Sequence, residues 1–153
     1  MNKKLTITAV ALLCAFLALG ARLSDDDSSK KDLAALQGEW TMVSGENSGT
    51  QFPAEVAKTG KRVCKGDELT VTFGGMTIIK ATITLDATKD PKTIDYKLTD
   101  GPSKGKVQLG IYELKDDTFK SCFAAPDHER PTAFETKAGD GRTMSVWKRE
   151  NAN

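Results

Sequence analysis

The sequence is poor in the residues from which metal and redox sites are most often built. It contains one histidine, His128, and three cysteines, Cys14, Cys64 and Cys122. No two cysteines have the CxxC spacing of zinc or redox motifs, and no second histidine is present to join a metal site. We therefore expect neither a metal nor a cofactor.

Catalytic motifs are also missing. His128 lies in a polar stretch beside Glu129 and Arg130, and neither a serine nor a buried acid is marked as its partner. Gly74-Gly75 connects two strand-like segments and does not open a helix, as a phosphate-binding loop would. Adjacent acids, such as those at 116–117, occupy turns where hydration accounts for them. The sequence predicts a protein that is not an enzyme and has no catalytic residue.

An excess of one charge sign is absent as well. The 22 lysines and arginines nearly balance the 21 acids, so the formal net charge is +1. A nucleic-acid-binding surface needs clustered lysine and arginine to displace counterions. We expect no nucleic-acid partner.

The longest uncharged run is short and lies at the N-terminus. Lys3 and Lys4 precede residues 5–19, a run too short to span a membrane comfortably but suited to a secretory signal. Small residues at Ala18 and Gly20 predict a signal peptide of residues 1–20, and hence a periplasmic or secreted protein with no stable membrane span. Cleavage would remove two lysines and leave a formal net charge of −1. The alternatives are an anchor through an uncleaved signal or through a lipidated Cys14.

Residues 21–32 are predicted to be a polar linker, and residues 150–153 a C-terminal tail. The aspartates at 25–27 lack the spaced ligands and turn glycine of a calcium loop, so the segment reads as a solvated tether. Asp32 is expected to cap a short helix over residues 32–36.

From Gly38 onward the hydrophobic pattern has a period of two, which is typical of β-strands. The apolar phase changes beside Gly110, which favours a β-bulge there. A short helical insert is expected at 53–58, since proline suits a first helical turn. The pattern predicts eight strands, near residues 40–43, 62–65, 69–73, 76–85, 94–98, 107–114, 118–124 and 143–148.

Eight short antiparallel strands must close or form a sandwich to protect their edges. We therefore predict an all-β fold, an antiparallel eight-stranded barrel over residues 33–149 that follows a short helix, and expect a monomer. A β-sandwich is the alternative, although the Cys…Trp…Cys order of immunoglobulin domains is absent. In an oxidising compartment Cys64 and Cys122 could form a disulfide; two free, part-buried thiols are the other reading.

Several short blocks carry a resemblance to a known family. Gly38-Glu39-Trp40 resembles the G-x-W motif that opens lipocalin barrels. Together with the G-I-Y-E-L, C-F-A-A-P and E-R-P-T-A-F blocks at 110–114, 122–126 and 129–134, it resembles an exported lipocalin-like family known mainly from planctomycete genomes. The resemblance implies structural roles for Gly38, Trp40 and Arg149, with a basic residue after the last strand packing over the tryptophan. That family has no assigned activity, so no functional residue is carried over.

Two functions remain open. The first is an exported barrel that binds a small apolar or amphipathic molecule. Arg130 would hold an anionic headgroup if its loop folds over the barrel mouth, or would pair with an acid to pin that loop. The second is a cell-envelope interaction or structural module with a fully packed barrel, contacting a partner protein through its loops. The residues expected to line the interior are Phe73, Ile83, Tyr96, Tyr112, Phe119, Ser121 and Phe123.

Overall fold

The computed structural model describes residues 19–151, which form two helices and nine strands. Residues 1–18 of the predicted signal peptide, Cys14 among them, and residues 152–153 of the tail lie outside the described residues. The helices are α1 (Leu19–Ala35) and α2 (Ala54–Ala57), and the strands are β1 (Gly38–Asn47), β2 (Thr50–Gln51), β3 (Gly60–Lys65), β4 (Glu68–Phe73), β5 (Met76–Asp86), β6 (Lys92–Leu98), β7 (Val107–Lys115), β8 (Thr118–Phe123) and β9 (Thr143–Arg149).

The strands form a closed antiparallel barrel. Neighbours along the chain pair from β3 to β9, and β1 closes the circle by pairing with both β3 and β9. The two residues of β2 add a short extra strand to the end of β1. Closure leaves no long unpaired edge. The predicted eight-stranded barrel is confirmed, and the sandwich alternative is wrong.

The two ends of the barrel differ. At the end that we call the helix end, α1 leads into β1, and tight turns join β3 to β4 and β7 to β8. At the opposite end, the loop end, lie the Gly74-Gly75 hairpin, α2 and a long segment of residues 124–142, the cover loop. Among the described residues, neither helix is long and apolar enough to cross a membrane.

Helix α1 covers the segment that was expected to be a linker. Residues 21–32 are helical, and Asp32 lies inside the helix instead of capping it. Asp27 stands four residues before Lys31, a spacing in which an acid and a base stabilise a helix. The segment lacks an apolar stripe, which is why hydrophobic periodicity missed it.

The last turns of α1 are attached to the barrel by polar contacts. The Asp32 carboxylate accepts hydrogen bonds from Lys92 Nζ and from the Tyr112 hydroxyl, both at 2.7 Å. The Ser29 hydroxyl accepts a bond of 3.0 Å from the backbone amide of Ala87. These contacts hold the helix against β5, β6 and β7.

The bulge expected at Gly110 is absent. Strand β7 keeps a continuous register with both neighbours, and the register shifts lie instead between Met42 and Ser44 and between Val71 and Thr72. The apolar phase changes along β7 because both of its faces are covered. The barrel core takes one face, and the cover loop buries the outward-facing residue at 111.

Cys64 and Cys122 lie on opposite faces of the barrel wall. Cys64 belongs to the interior core, whereas Cys122 faces outward, and its thiol donates to the carbonyl oxygen of Glu135 in the cover loop at 3.6 Å. Both cysteines are free and buried. A disulfide requires Cβ atoms roughly 4 Å apart, which the intervening wall prevents. The disulfide reading is wrong, and the alternative of two buried thiols is correct.

Candidate functional site

The helix end of the barrel is closed by packed side chains. Leu36 and Trp40 are completely buried, and the Trp40 indole N–H donates to the carbonyl oxygen of Leu36 at 3.0 Å. The Arg149 guanidinium lies over the Trp40 ring, with Cζ 4.2 Å from the ring centroid, and it also donates to the Gln37 carbonyl oxygen at 2.7 Å. This plug joins the first and last strands of the barrel to the end of α1.

Large side chains fill the half of the interior next to this plug. Phe119 is completely buried, and the centroid of its ring lies 6.2 Å from that of Trp40 and 6.1 Å from that of Tyr112. Ile83 and Ile94 are also buried in the interior. We call this region the filled half.

The other half contains a cavity of about 210 Å³. At its rim Phe52 and Phe73 are partly exposed, and Ile78 is 57% exposed, so the cavity opens at the loop end. Within the part of the chain that the structure describes, no Asp, Glu or Lys side chain lines it. The lining is mainly apolar and consists of Met42, Phe52, Arg62, Val71, Phe73, Ile78, Ile79, Tyr96, Gln108, Ser121, Phe123, Thr143, Ser145 and Trp147.

Two small residues face each other in the cavity wall. Ser121 on β8 is the register partner of Ser145 on β9, and their hydroxyl oxygens lie 3.2 Å apart. The Trp147 indole N–H donates to the Ser145 hydroxyl at 2.8 Å, so this buried polar cluster has internal partners. Two serines in adjacent strands leave space that large side chains would fill.

Arg62 is the most unusual residue of the cavity. Its side chain extends inward from β3 and is 1% exposed, with Cζ 4.2 Å from the Phe119 ring centroid. One amino group, Nη1, donates to the Tyr96 hydroxyl. The other two nitrogens, Nε and Nη2, have no hydrogen-bond partner among the described residues, and no ion pair joins Arg62 to any of their carboxylates.

The surroundings of Arg62 act on its charge in opposite directions. Burial lowers the pKa of Arg62, but Tyr96 and the Cys64 thiol outweigh that effect and raise it above its ordinary value. Burial raises the pKa of Tyr96 to about 12, so its hydroxyl stays protonated at neutral pH. The cavity therefore holds a fixed positive charge, since an arginine keeps its proton under all ordinary conditions.

The interior residues expected from the sequence fall into two groups. Four line the cavity, namely Phe73, Tyr96, Ser121 and Phe123, whereas Ile83, Tyr112 and Phe119 belong to the filled half. Within the first group, the ring centroids of Tyr96 and Phe123 lie 4.1 Å apart.

Arg130 does not reach the interior. It lies against the outer face of the barrel, where Nη1 donates to the Asp95 carboxylate at 2.6 Å and to the Gly110 carbonyl oxygen at 2.7 Å. The cover loop does not fold over the mouth at this residue. Of the two roles expected for Arg130, the geometry matches the ion pair that pins the loop.

Sequence reasoning missed Arg62. The signal was present in the alternation of β3, where residues 60, 62 and 64 are buried and residues 61, 63 and 65 are exposed. Cys64 lies on the inward face of β3 together with Arg62. The apolar Val63 lies on the outward face, so hydrophobicity alone does not indicate which face of β3 is inward. Ser145 and Trp147 were missed because the apolar Met144 and Val146 make the opposite face of β9 resemble the inward one.

Comparison with known proteins found no family model, curated protein or solved structure that matches the chain. The resemblance to the planctomycete family stays a prediction.

Proposed function

We propose that this chain is an exported, non-enzymatic protein that holds a small apolar or amphipathic molecule inside its barrel. The observation that carries the proposal is the cavity of about 210 Å³, which is mainly apolar, opens at the loop end and is closed at the helix end. Ligand sites typically combine a concave apolar lining with a few polar groups that orient the ligand. Arg62 and the paired serines are such groups here.

The volume of the cavity limits the size of the occupant. A cavity of about 150 Å³ lined by apolar side chains is known to hold benzene, so this larger one suits a single ring or a short alkyl chain with a headgroup. It lies below the roughly 300–1,000 Å³ typical of drug-sized ligands. A longer chain would have to extend through the mouth past Phe52 and Ile78.

Export is part of the proposal and is supported by the N-terminal sequence. The lysines at 3 and 4, the uncharged run at 5–19 and the small residues before Ala21 form the pattern of a secretory signal.

Binding of octan-1-ol, followed by isothermal titration calorimetry, tests the proposal. Val71 lines the cavity, whereas Val63 is 39% exposed on the outer face of the neighbouring strand. Val71→Phe places a phenyl ring in the cavity and is expected to weaken octan-1-ol binding more than tenfold. Val63→Phe adds the same ring outside and should leave the affinity unchanged.

Absence of octan-1-ol binding to the wild-type protein would contradict the proposal. Equal affinities of the two phenylalanine variants would do the same, because binding would then occur elsewhere. Thermal unfolding of both variants verifies that each is folded at the titration temperature.

A further inference from the structure

The free edge of Arg62 has a defined shape. Nε and Nη2 form one edge of the planar guanidinium group, and each directs an N–H bond outward from that edge, nearly parallel to the other. This edge matches the two oxygens of a carboxylate, which can accept both hydrogen bonds at once. Both nitrogens are buried and lack a partner among the described residues.

We propose that the cavity recognises small apolar monocarboxylates, and that the Nε–Nη2 edge of Arg62 binds the carboxylate. This inference rests on the proposed function and names the chemical class of its ligand. The apolar tail would lie among the aromatic and aliphatic residues toward the mouth, such as Phe73, Ile79 and Phe123.

The cost of burying Arg62 points to an anion. An unpaired buried charge is expensive, and a buried donor without a partner loses its hydration without replacement. Contact with the Phe119 ring at 4.2 Å offsets part of that cost but leaves both N–H groups unsatisfied. A ligand carboxylate would supply one negative charge and two acceptors at the place where both are missing.

The neighbours of Arg62 hold the guanidinium in position. The Tyr96 hydroxyl accepts the hydrogen bond from Nη1, and the Phe119 ring covers one face of the guanidinium. The Cys64 thiol also lies close to Arg62. With all three neighbours in place, Nε and Nη2 have no hydrogen-bond partner among the described residues. Tyr96 and Phe119 are therefore positioning residues, and their contacts reduce the ordering that ligand binding must impose.

The lining favours a carboxylate over a phosphate. Of the described residues that line the cavity, Arg62 is the single cationic one, and their other polar groups are hydroxyls, one amide and one indole N–H. A phosphate monoester carries close to two negative charges at neutral pH and three acceptor oxygens. One arginine among apolar walls balances one negative charge.

Calorimetric titrations of the wild-type protein with octanoate, octan-1-ol and octyl phosphate at pH 7 test the inference. Because hydrogen bonds to charged groups are worth more than neutral ones, octanoate should bind about ten- to a hundredfold more tightly than octan-1-ol. Octyl phosphate should bind less tightly than octanoate. In Arg62→Met, octanoate should lose this advantage while octan-1-ol still binds.

Each other outcome overturns a defined part of the argument. Equal wild-type affinities for octanoate and octan-1-ol would mean that Arg62 is structural, and the proposed function would stand without the carboxylate. Tighter binding of octyl phosphate would overturn the ligand class. Binding of none of the three would overturn the inference and the proposed function together. The wild-type comparison decides these outcomes even if Arg62→Met fails to fold, and Arg62→Lys, which keeps the charge without the paired edge, should fall between wild type and Arg62→Met.

Discussion

The guanidinium of Arg149 lies over the indole of Trp40, with Cζ 4.2 Å from the ring centroid. Arg149 ends the last strand and Trp40 lies near the start of the first, so their contact joins the two ends of the barrel sequence. The same guanidinium donates to the carbonyl oxygens of Gln37 and Ala35 and, through Nε, to the Asp117 carboxylate at 3.1 Å. One side chain thus links β9, the end of α1 and the β7–β8 turn.

Arg149→Met should destabilise the barrel by about 1–3 kcal/mol, because it removes a cation–π contact and hydrogen bonds to two backbone carbonyl oxygens. Arg149→Lys should recover part of the loss, since lysine keeps the charge but not the planar fork. Urea unfolding followed by tryptophan fluorescence measures both effects. The control is Lys148→Met at the neighbouring exposed position, and an equal loss in that variant would contradict a specific role for Arg149.

Arg130→Met should loosen the cover loop without changing the cavity. The substitution removes the ion pair with Asp95 and the bond to the Gly110 carbonyl oxygen, both on the outer face. Limited proteolysis is expected to cleave within residues 124–142 faster in the variant than in the wild type. Octanoate affinity should stay within about twofold, and a tenfold loss would show that Arg130 acts on the ligand.

Gly110→Ala should destabilise the protein by about 1–3 kcal/mol, in the range of other overpacked core sites. A Cβ at Gly110 would lie 2.5 Å from Cδ1 of Phe123 and 3.0 Å from the Cys122 carbonyl oxygen. Phe123→Leu removes the ring, so the double variant should be more stable than the sum of the two single losses implies. Additive losses in urea unfolding would show that the phenylalanine ring is not the obstacle.

Cys64 and Cys122 should remain separate thiols under oxidising conditions. The protein, denatured without a reductant and then alkylated, should give both cysteine peptides in alkylated form by mass spectrometry. The losses of unfolding free energy caused by Cys64→Ala and Cys122→Ala should add in the double variant, because the two residues lie on opposite faces of the barrel wall. A cross-linked peptide, or a double variant no less stable than either single one, would indicate a disulfide.

The two tyrosines should resist ionisation while the protein is folded. Burial raises the pKa of Tyr96 to about 12, and burial together with the Asp32 carboxylate raises the pKa of Tyr112 as well. An unfolded tyrosine titrates near pH 10, so above that pH the unfolded chain loses protons that the folded protein retains. The contribution of the two tyrosines to the free energy of unfolding should therefore be fully present below pH 10 and fall as the pH rises toward 12.

Absorbance of tyrosinate near 295 nm measures this directly. The folded protein should show little tyrosinate at pH 11, whereas the protein in guanidinium chloride should titrate near pH 10. In Tyr96→Phe, the decline of the melting temperature between pH 10 and 12 should be shallower than in the wild type. Half-complete ionisation of the folded protein at pH 10 would contradict the burial of both hydroxyls.

Local patterns were sufficient to predict the strands and the type of sheet. The alternation of Leu69, Val71 and Phe73 and the Gly74-Gly75 turn define the β4–β5 hairpin in the sequence and in the structure. The antiparallel barrel follows from such signals because a strand's two faces alternate with every residue and because short strands must protect their edges. These are properties of neighbouring residues.

The sequence could not show which strand segments are buried on both of their faces. Ile111 and Cys122 are buried on the outside of the barrel, under the cover loop. The apolar Ile111 therefore gave β7 the pattern of a bulge at Gly110. The outward burial of Cys122 could not be told from burial in the interior beside Cys64. Helix α1 was predicted in its last residues only, for a related reason. It is held by contacts between Asp32 and distant residues, and not by an apolar stripe of its own.

By itself, the sequence determined a set of alternating antiparallel strands, with a closed barrel as the favoured arrangement, and a pattern typical of export at its N-terminus. The pairing of β1 with β9 decided for the barrel over the sandwich. Only the tertiary structure decided that half of the interior is filled and half is open. That division depends on the register that places Ser121 opposite Ser145 and on the barrel closure that brings Arg62 to Tyr96 and Phe119. The cavity and the unpaired guanidinium edge depend on the volumes and charges of side chains from strands that are distant in the sequence. A local sequence pattern contains no information on which of these side chains meet.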